Sequence, residues 1–532
     1  MLWLTMGGAD SRQAEILDFM GRPDAYTPPP ATVERIETHA SIVFLAGAFA
    51  YKVKRAVKYP FLDFSTLKKR HEACLNEIRV NFRTAPQLYL EVVPVTLGDS
   101  GTFRLGGEGQ AVEWVLRMRR FDQAKLYDRM ASEGRLDLAS MPRLAKVIAR
   151  FHDSAARVLA PDQAVLPLEG VLRDNAEAFA ANANVVPARA ARELAGASRE
   201  RLAALSPLLA ARARGGYVRH CHGDLHLRNI VEIDGSPVLF DAIEFDDRLA
   251  TIDVLYDLAF LLMDLGKRGL TPHANAVLNA YLDEEGSTGN LIGLATLPLF
   301  LAMRATIRAK VELLRARMAG HDQAEAARAE ARVYFALAER FLAPAAPRLI
   351  AIGGLSGTGK SAIARAIAPS IGAFPGAVHV RSDVERKRLF GVAPSERLPA
   401  SAYAPEVSDR VYAMCRKRAL MALEGGQAVI VDAVHAKQEE REALAALAAE
   451  KRVPFTGLWL EAPAQFMRDR IATRTGDVSD ATQEVVDVQL GYDIGPQSFE
   501  VIDASLPVDQ VAASCLERIG AQPRAPSRFM LC

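Results

Sequence analysis

The sequence predicts an α+β region built as two lobes, followed by an α/β domain whose sheet is mainly parallel. Three observations predict this arrangement. Short apolar runs separated by turn residues occupy the first part of the chain, and Ala- and Leu-rich helical segments follow over residues 122–214. Prolines at residues 344–347 then precede a third pattern, in which buried-strand runs alternate with helices.

The length of the chain indicates several structural units. At 532 residues it exceeds a single hydrophobic core, and a typical domain of about 150 residues implies roughly three or four units. We predict an N-terminal lobe at residues 1–115, a helical C-terminal lobe at 116–345, an α/β domain at 346–520 and a tail at 521–532.

Composition and charge are those of an ordinary globular protein. Half of the residues are apolar, 24% are charged and the formal net charge is +1, so no global electrostatic attraction to nucleic acid or an anionic membrane is expected. The first ten residues lack the pattern of a secretion signal. No stretch reaches about eighteen uninterrupted apolar residues, so we predict no membrane span. The cysteines lack paired metal spacing, which favours a reducing cytoplasm; they are Cys74, Cys221, Cys415, Cys515 and Cys532.

Residues 218–245 carry the first group of candidate catalytic side chains. A His-Gly-Asp tripeptide ends on Asp224, and Asn229 lies five positions later. A turn then separates two apolar runs, the second of which ends on Asp241. Phosphoryl transfer needs a carboxylate near the attacking hydroxyl and oxygen ligands for magnesium. A loop followed by a tight hairpin would bring these three oxygen-bearing side chains to one centre.

This order of residues resembles the catalytic loop and metal-binding turn of the protein-kinase-like fold. The His-Gly-Asp tripeptide is more similar to the aminoglycoside phosphotransferase branch of that fold than to protein kinases. The resemblance implies that Asp224 accepts the proton of a substrate hydroxyl and that Asn229 and Asp241 bind magnesium. The alternative interpretation is that all three residues cap turns or end a strand.

In such a fold the N-terminal lobe holds the nucleotide phosphates through a lysine. Residues 42–54 predict two antiparallel strands joined by a short turn. The tripeptide that ends on Lys52 resembles the family's Ala-x-Lys, and Lys54 on the same strand face remains an alternative. The next helix offers Glu77 as the carboxylate partner of this lysine, with Glu72 as the alternative.

Other parts of the kinase-like region carry further expectations. Residues 38–41 occupy the place of a glycine-rich phosphate loop, and main-chain groups at 114–117 are expected to contact the adenine edge. The acidic residues of the helix at 252–264 are expected to line a substrate cleft. Arg304 and Arg308 lie one turn apart, where they either reach an anionic substrate or, as we favour, pair with acidic residues of the lobe.

The α/β domain opens on a phosphate-binding motif. Residues 349–352 form a buried-strand run, and residues 354–361 match G-x-x-x-x-G-K-[ST] ahead of an apolar helix. In that context main-chain N–H groups cradle phosphates, Lys360 contacts the outer phosphates and Ser361 ligates magnesium. The candidate phosphate-binding residues are Gly354, Ser356, Gly357, Thr358, Gly359, Lys360 and Ser361.

The segments that follow resemble small P-loop kinases of the gluconate kinase and zeta-toxin type. The resemblance implies that Asp383, at the end of a second strand, faces the acceptor hydroxyl. It also implies that Asp432, at the end of a later strand, lies on the magnesium side. Arg468, Arg470 and Arg474 resemble the arginines of a lid that closes on the phosphates, and Arg474 is the candidate nucleotide ligand among them.

Two nucleotide sites in one chain predict a bifunctional phosphotransferase that uses ATP and Mg²⁺ at each site. Asp224 would be catalytic in the first site, and Lys360 and Asp383 in the second. The expected acceptor is a small-molecule hydroxyl group, as in a sugar or aminosugar; no nucleic-acid or membrane partner is expected. Two alternatives stay open: a P-loop domain that regulates the other half, or a kinase that modifies a protein. The basic residues at 381–388 hint at an anionic acceptor.

Overall fold

The computed structural model describes residues 9–38, 40–59, 62–98, 101–160, 164–318, 320–393, 395–473 and 478–522. The chain forms two compact units. The first comprises the chain up to residue 136 with 154–158 and 219–252, and the second comprises 137–153, 159–218 and the chain from 253 onward.

Strands and helices alternate in the order that the fold class requires. The strands are β1 Val33–Glu37, β2 Ser41–Ala46, β3 Phe49–Lys54, β4 Lys58–Tyr59, β5 Leu62–Asp63, β6 Tyr89–Leu97, β7 Phe103–Leu105, β8 Gln110–Arg119, β9 Val218–His220, β10 Ile230–Ile233, β11 Ser236–Leu239, β12 Thr251–Asp253, β13 Leu349–Gly353, β14 Val378–Arg381, β15 Val429–Asp432, β16 Phe455–Glu461 and β17 Glu500–Asp503.

The helices are α1 Ala9–Met20, α2 Leu67–Asn81, α3 Tyr127–Ser132, α4 Met141–Ser154, α5 Leu166–Ala180, α6 Ala188–Arg214, α7 Asp247–Ala250, α8 Val254–Lys267, α9 Thr271–Glu285, α10 Thr288–Gly293, α11 Leu297–Met318, α12 His321–Leu342, α13 Lys360–Ile367, α14 Ser382–Leu389, α15 Pro405–Glu424, α16 Gln438–Lys451, α17 Ala464–Thr473, α18 Gln483–Leu490 and α19 Val508–Ile519.

An antiparallel sheet forms the centre of the first unit. Its strand order is β1-β2-β3-β8-β6-β7, and one face packs on α1 through a cluster that includes Ile16, Phe44 and Val115. Helix α2 begins at Thr66, whose side chain accepts a hydrogen bond from Lys69 N and caps the helix. The buried face of α2 carries polar side chains as well as apolar ones, because it faces the candidate site described below.

A hairpin of β10 and β11 completes the first unit. Its two-residue turn consists of Asp234 and Gly235, with φ of 50° and 70°. Positive φ at both positions is what a type I′ turn requires, and this turn matches the twist of the flanking strands. The hairpin therefore has a fixed register, which sets where the residues before β10 and after β11 lie.

The second unit contains a parallel sheet with the strand order β14-β15-β13-β16-β17. Strands β13 and β15 are buried along their whole length, as expected for parallel strands covered on both faces. A core of Ile350, Ile363, Ile430 and Leu460, among others, joins the sheet to the helices around it. The structure confirms the predicted fold class: a kinase-like α+β fold followed by an α/β P-loop domain with a parallel sheet.

One helical segment in the described part of the chain, residues 288–318, is long and apolar enough to cross a bilayer by length and composition alone. In this structure 78% of its most apolar window is buried. Helix α11, within this segment, packs against α8 and α12. Packing inside the second unit therefore accounts for its apolar composition.

Candidate active sites

The first candidate site lies on the loop before β10 and the turn after β11. Asn229 Nδ2 donates to Asp224 Oδ2 at 3.0 Å and to Asp224 O at 2.9 Å. Phe240 N donates to Asn229 O at 3.0 Å, which brings the residue that follows, Asp241, to the same end of the hairpin. The structure thus gathers the three residues that the sequence predicts for proton acceptance and metal binding.

His222 joins the loop to the turn. Its Nε2 donates to Phe240 O at 2.9 Å, so its Nδ1 accepts from Asp224 N at 3.3 Å, a tautomer assigned from these partners. Gly223 has φ of 83°, and a Cβ there would lie 2.9 Å from Ile243 Cδ1. Each residue of the His-Gly-Asp tripeptide therefore has a structural role. His222 links the loop to the turn, Gly223 fits where a Cβ would collide with Ile243, and Asp224 binds Asn229.

The turn at Asp241 is held by two side chains that the sequence did not single out. Asp241 has φ of 60°, and its N–H donates to the Tyr89 hydroxyl at 3.0 Å. The next N–H, of Ala242, donates to Asn81 Oδ1 at 2.8 Å. Asn81 lies four residues after Glu77 and hence on the same face of α2. That spacing was the available signal, whereas nothing near Tyr89 in the sequence pointed to the turn.

Both candidate lysines of β3 contact the same glutamate. Lys52 Nζ lies 2.8 Å from Glu77 Oε1, and Lys54 Nζ lies 2.5 Å from Glu77 Oε2. Lys52 also reaches Asp241 Oδ1 at 2.7 Å, while Lys54 pairs with Glu244. The alternative partner Glu72 is 61% exposed. Lys52 is therefore the lysine next to the predicted metal ligand, and Lys54 is buried behind it.

The charges of this cluster are strongly coupled. Burial lowers the pKa of Lys52, but Asp241 and Glu77 outweigh burial and raise it well above its usual value. Burial raises the pKa of Glu77, yet the two lysines lower it to about 2. Burial raises the pKa of Glu244, and Lys54 only partly offsets it. Glu77 is therefore an ionised anchor for both ammonium groups.

A magnesium ion fits this donor set. The cluster holds two lysines against the carboxylates of Glu77, Asp241 and Glu244, which leaves one excess negative charge when all are ionised. The Asp241 side chain is 40% exposed, so its carboxylate is open on one side. Carboxylate and amide oxygens are the ligands that magnesium prefers; Asp241 and Asn229 would hold it.

The expectation for the adenine edge is wrong. Strand β8 lies between β3 and β6, with Val115 and Leu116 in register with partners on both sides. The ladder continues to Arg119, so the main-chain groups of 115–117 are used inside the sheet, while Trp114 N donates to Glu113 Oε1 at 3.0 Å. Alternating apolar residues predicted the strand but not its two neighbours. Main-chain contacts to a base would have to come from residues beyond Arg120, whose N–H donates to Ala48 O in the turn between β2 and β3.

The acidic residues of α8 do not line a cleft, so that expectation is also wrong. Asp253 caps the helix and binds Arg212 at 2.6 Å. Asp257 lies 3.1 Å from His152 Nε2 and is fully buried. Asp264 is 6% exposed. A buried carboxylate needs a partner inside the protein, and these acids serve the packing of the helical region.

Arg304 and Arg308 pair with other groups of the protein, which is the interpretation that we favoured over contact with an anionic substrate. Arg304 is 5% exposed and its Nε donates to Tyr256 O at 3.1 Å. Arg308 Nη2 lies 3.4 Å from Glu312 Oε1 on the same helix. Both guanidinium groups pair within the second unit.

The second candidate site is the loop between β13 and α13. Gly354, Gly357 and Gly359 have φ of 137°, 87° and 93°. A Cβ at Gly357 would lie 2.6 Å from Met467 O, the main chain of another helix. Because no side chain fits there, the loop wraps tightly onto the start of α13, the geometry in which main-chain N–H groups bind phosphate.

Lys360, Ser361 and Asp432 meet at the carboxyl end of the sheet. Lys360 Nζ donates to Leu355 O at 2.9 Å, and Ser361 Oγ donates to Asp432 Oδ2 at 2.5 Å. Burial raises the pKa of Asp432, but its bond with His379 and the nearby cations lower it to about 2. An ionised carboxylate beside a serine hydroxyl is an oxygen donor set that fits magnesium.

Asp383 lies in the same cavity as the phosphate-binding loop. It occupies the first turn of α14 rather than the end of β14, a small correction to its predicted place. Burial, and then the charge of Asp432, raise its pKa. A carboxylate with a raised pKa is a better proton acceptor. The cavity, of about 920 Å³, is also lined by Lys360 and Ser361.

The lid arginines have different positions. Arg470 lines the cavity and its Nη1 donates to Thr358 O at 3.1 Å. Arg468 pairs with Asp487 at 2.6 Å. The candidate Arg474 lies outside the described residues. Of the two described arginines, Arg470 is the one that touches the phosphate-binding loop.

A glutamine that the sequence did not indicate contacts the same loop. Gln489, on α18, accepts a hydrogen bond from Ser356 N at 2.7 Å through Oε1. Its side chain is 8% exposed. The Gln489 amide oxygen therefore accepts the hydrogen bond of one N–H group, that of Ser356, which the motif would otherwise donate to phosphate.

The basic cluster at 381–388 is paired inside the protein. Lys387 Nζ lies 2.7 Å from Asp480 Oδ1, and Arg386 Nη1 donates to Ala402 O at 2.6 Å. The hint of an anionic acceptor therefore loses its support, because these charges already have partners.

Fold and sites together define a kinase-like phosphotransferase domain joined to a P-loop kinase-like domain. The family model described as "Phosphotransferase enzyme family" matches residues 72–290. The model described as "AAA domain" matches residues 349–492. The first match contains Glu77, Asp224, Asn229 and Asp241 but begins after Lys52. The second match contains the phosphate-binding loop, Asp383 and Asp432.

Relatives that align with most of the chain occur in mycobacteria. The chain is 32% identical over 456 residues to uncharacterized proteins of Mycobacterium tuberculosis and Mycobacterium bovis, covering 84% of this chain and 88% of each relative. The chain therefore belongs to the family that these proteins represent.

Two solved structures are similar to parts of the chain. A choline/ethanolamine kinase family protein from Mesorhizobium loti is 16% identical, with a TM-score of 0.37, over 62% of this chain and 98% of that one. A gluconokinase from Sinorhizobium meliloti is 20% identical, with a TM-score of 0.25, over 33% of this chain and 92% of that one.

Proposed function

We propose that the protein is a bifunctional ATP-dependent phosphotransferase with one MgATP site in each half, and that each site phosphorylates a hydroxyl group of a small molecule. The observation that carries the proposal is the repeated combination of a lysine, magnesium-type oxygen donors and a further carboxylate. In the first site these are Lys52, Asn229 with Asp241, and Asp224. The second site combines a corresponding set in one cavity.

In the first site the side chains divide the work. Lys52, held by Glu77, neutralises charge on the nucleotide phosphates, and Asp241 and Asn229 hold the magnesium ion. Asp224 orients the acceptor hydroxyl and takes its proton. Magnesium, when bound, neutralises charge that develops on the transferred phosphoryl group. Because the carboxylate of Asp224 already binds Asn229 Nδ2, the proton acceptor is held beside the metal ligand before any substrate enters.

In the second site the main chain holds the phosphates. The loop at 354–361 and Lys360 bind the phosphate chain, and Ser361 and Asp432 hold magnesium. Asp383 takes the acceptor proton, which its raised pKa favours. Arg470, next to Thr358, is placed to neutralise phosphate charge.

Cavity size favours a small acceptor. A volume of about 920 Å³ lies near the upper end of the usual range for ligand pockets, roughly 300–1,000 Å³. A nucleotide and a small metabolite fit together in such a space. Because both reactions consume ATP, we place the protein in the cytoplasm.

Turnover of labelled ATP by the full-length protein, with and without a pool of small metabolites, tests the proposal. Asp224→Asn should abolish one fraction of phosphorylated product and Lys360→Ala the other. The matched controls are Asp234→Asn, an exposed residue in the β10–β11 turn, and Lys417→Ala, an exposed residue on α15. Both controls should keep wild-type turnover.

Other outcomes of the same experiment would support one of the two alternative functions, a regulatory P-loop domain or a protein-modifying kinase. Loss of all product in Asp224→Asn, with ATP binding but no turnover at the second site, would make the P-loop domain a nucleotide-dependent regulator. Label on a protein band rather than on a metabolite would make the first site a protein-modifying kinase. Wild-type turnover in both single variants and in the double variant would remove both sites from the mechanism.

A further inference from the structure

Helix α9 covers the free edge of the P-loop sheet. Strand β14 is an edge strand, and the main chain at that edge binds side-chain amides of α9. Asn275 Nδ2 and Asn279 Nδ2 donate to Ala377 O at 3.1 and 3.2 Å, and His379 N donates to Asn279 Oδ1 at 2.7 Å. Exposed edges are normally protected in some way; here two asparagines protect this one.

The carboxyl end of α9 receives arginines from the P-loop domain. Arg381 Nη2 donates to Asp283 Oδ2 at 2.7 Å, and Arg388 Nη2 donates to Asp283 O at 3.0 Å. Arg418 Nη1 donates to Gly286 O at 3.0 Å. Cations stabilise the carboxyl end of a helix, so these contacts fix α9 against β14 and α14. Helix α9 itself lies within the stretch that matches the phosphotransferase family, 72–290.

Arg381 is the residue through which this contact reaches the P-loop site. It lines the cavity together with Asp383 and Asp432. Arg381 is in register with Asp432 on the neighbouring parallel strand, so the two side chains lie on one face of the sheet. Burial lowers the pKa of Arg381, but Asp283 first, then Asp432 and Asp383, raise it. The Arg381 guanidinium thus shares a cavity with Asp432 and Asp383, while its hydrogen bond goes to Asp283.

We propose that Asp283 is a positioning residue of the P-loop site: by holding the Arg381 guanidinium, it keeps Asp432 and Asp383 available for magnesium and for the acceptor hydroxyl. The proposal rests on the proposed function of that site. It adds that a helix of the kinase-like region is part of the P-loop machinery. Without Asp283 the guanidinium would turn to the two remaining carboxylates in the cavity, because a cation that is only 21% exposed favours a charged partner.

The test uses the full-length protein in an Asp224→Asn background, so that ATP turnover reports on the P-loop site alone. Asp283→Asn should raise the Mg²⁺ concentration for half-maximal turnover by about tenfold, since a charge-assisted hydrogen bond must be broken before the metal binds. Glu284→Gln is the matched control. It removes the same charge from the adjacent residue, which contacts Arg150 of α4 instead, and it should leave the Mg²⁺ dependence unchanged.

A second substitution separates positioning from general damage to the interface. In Asp283→Asn combined with Arg381→Gln, the competing cation is gone, so the Mg²⁺ dependence should return to within about twofold of the background protein. A double variant as impaired as the single one would overturn the proposal, as would an unchanged Mg²⁺ dependence in Asp283→Asn. A purely structural role would lower the melting temperature without this recovery.

A binding measurement keeps this proposal apart from the proposed function. ADP is titrated calorimetrically with Mg²⁺ and with EDTA, and the Lys360→Ala variant identifies the phase that belongs to the P-loop site. The gain in ADP affinity from Mg²⁺ should shrink about tenfold in Asp283→Asn and return in the double variant. If the P-loop site binds ADP but shows no turnover, the proposed function fails for this site, and the titration still decides the role of Asp283.

Discussion

Lys54 Nζ lies 2.5 Å from Glu77 Oε2, the oxygen that Lys52 does not use. One glutamate of α2 therefore binds two lysines of β3, and the inner lysine continues to Glu244, beyond the metal-binding turn. The position of α2 is tied in this way to both the strand and the turn. We expect Lys54 to contribute mainly to stability and Lys52 mainly to catalysis, because the Lys54 side chain is 1% exposed and the Lys52 side chain is 14% exposed.

Replacing Lys54 with Met should lower the free energy of unfolding by about 3 kcal/mol, because Glu244 and Glu77 would keep buried charge without a full partner. Urea unfolding measures this. Lys52→Met is the matched comparison, with a smaller loss of stability and loss of Asp224-dependent turnover. Adding Glu244→Gln to Lys54→Met should recover part of the stability. Equal urea midpoints for Lys54→Met and the wild type would show that the pair contributes nothing.

Replacing Asn81 with Ala should slow the first site. The change leaves Ala242 N without its acceptor, which costs about 1–3 kcal/mol and loosens the turn that carries Asp241. We expect roughly tenfold lower Asp224-dependent turnover. Asn182→Ala is the control, since Asn182, which follows the end of α5, donates to the carbonyl four residues earlier, Ala178 O, as Asn81 does to Glu77 O. Similar turnover in both variants would contradict the role of Asn81.

Replacing Gly357 with Ala should weaken nucleotide binding at the P-loop site. The new Cβ would lie 2.6 Å from Met467 O at φ of 87°, and such strain costs about 1–3 kcal/mol or more. ADP titration should show at least about tenfold weaker binding. Gly426→Ala is the control, because Gly426 also has positive φ, 75°, but open space around it. Equal ADP affinity in the two variants would show that the tight packing of the loop does not matter.

Replacing Gln489 with Ala should strengthen nucleotide binding at the same loop. The amide oxygen of Gln489 competes with phosphate for Ser356 N, and releasing one hydrogen bond of about 1 kcal/mol corresponds to roughly fivefold higher affinity. Calorimetric titration with ADP measures the change. Gln483→Ala, on the same helix but at its exposed start, should have no effect. Weaker binding in Gln489→Ala would instead mean that the glutamine supports the loop.

Acid should destabilise the P-loop domain through His435. Burial, ahead of the opposing effect of Asp432, lowers the pKa of this histidine from 6.5 to about 4. Between these values the unfolded chain takes up a proton that the folded protein does not, so the free energy of unfolding falls as the pH falls from 6.5 towards 4. The ring packs between Tyr412 and Phe499, so a phenyl ring fits in its place, and the strain of Phe at a φ of 52° does not vary with pH.

The difference in stability between the wild type and His435→Phe isolates this contribution. It should change in favour of the variant as the pH falls through this range and stay constant above about pH 7.5, where the histidine is neutral in both states. Urea unfolding at pH 7.5, 6 and 5 measures the difference. A difference that does not vary with pH would show that the histidine keeps its ordinary pKa.

Features that depend on contiguous residues could be predicted from the sequence. A phosphate-binding loop needs glycines and a lysine at fixed spacing between a strand and a helix, so residues 354–361 could be found without coordinates. The same holds for the tripeptide that ends on Asp224, the amide of Asn229 and the hairpin that leads to Asp241. Local spacing also predicted the fold class, because alternation and helical periodicity are local properties.

Contacts between residues far apart in the sequence could not be predicted from local patterns. Lys54 and Glu244 are 190 positions apart, and Arg381 and Asp283 are 98 positions apart. In neither pair does the sequence around one residue indicate its partner. The strand at 114–117 was predicted, but its second neighbour was not, so its main chain was wrongly expected to be free for a base. Ion pairs and sheet neighbours depend on how separate segments pack, and a local pattern of apolar and polar residues does not contain that information.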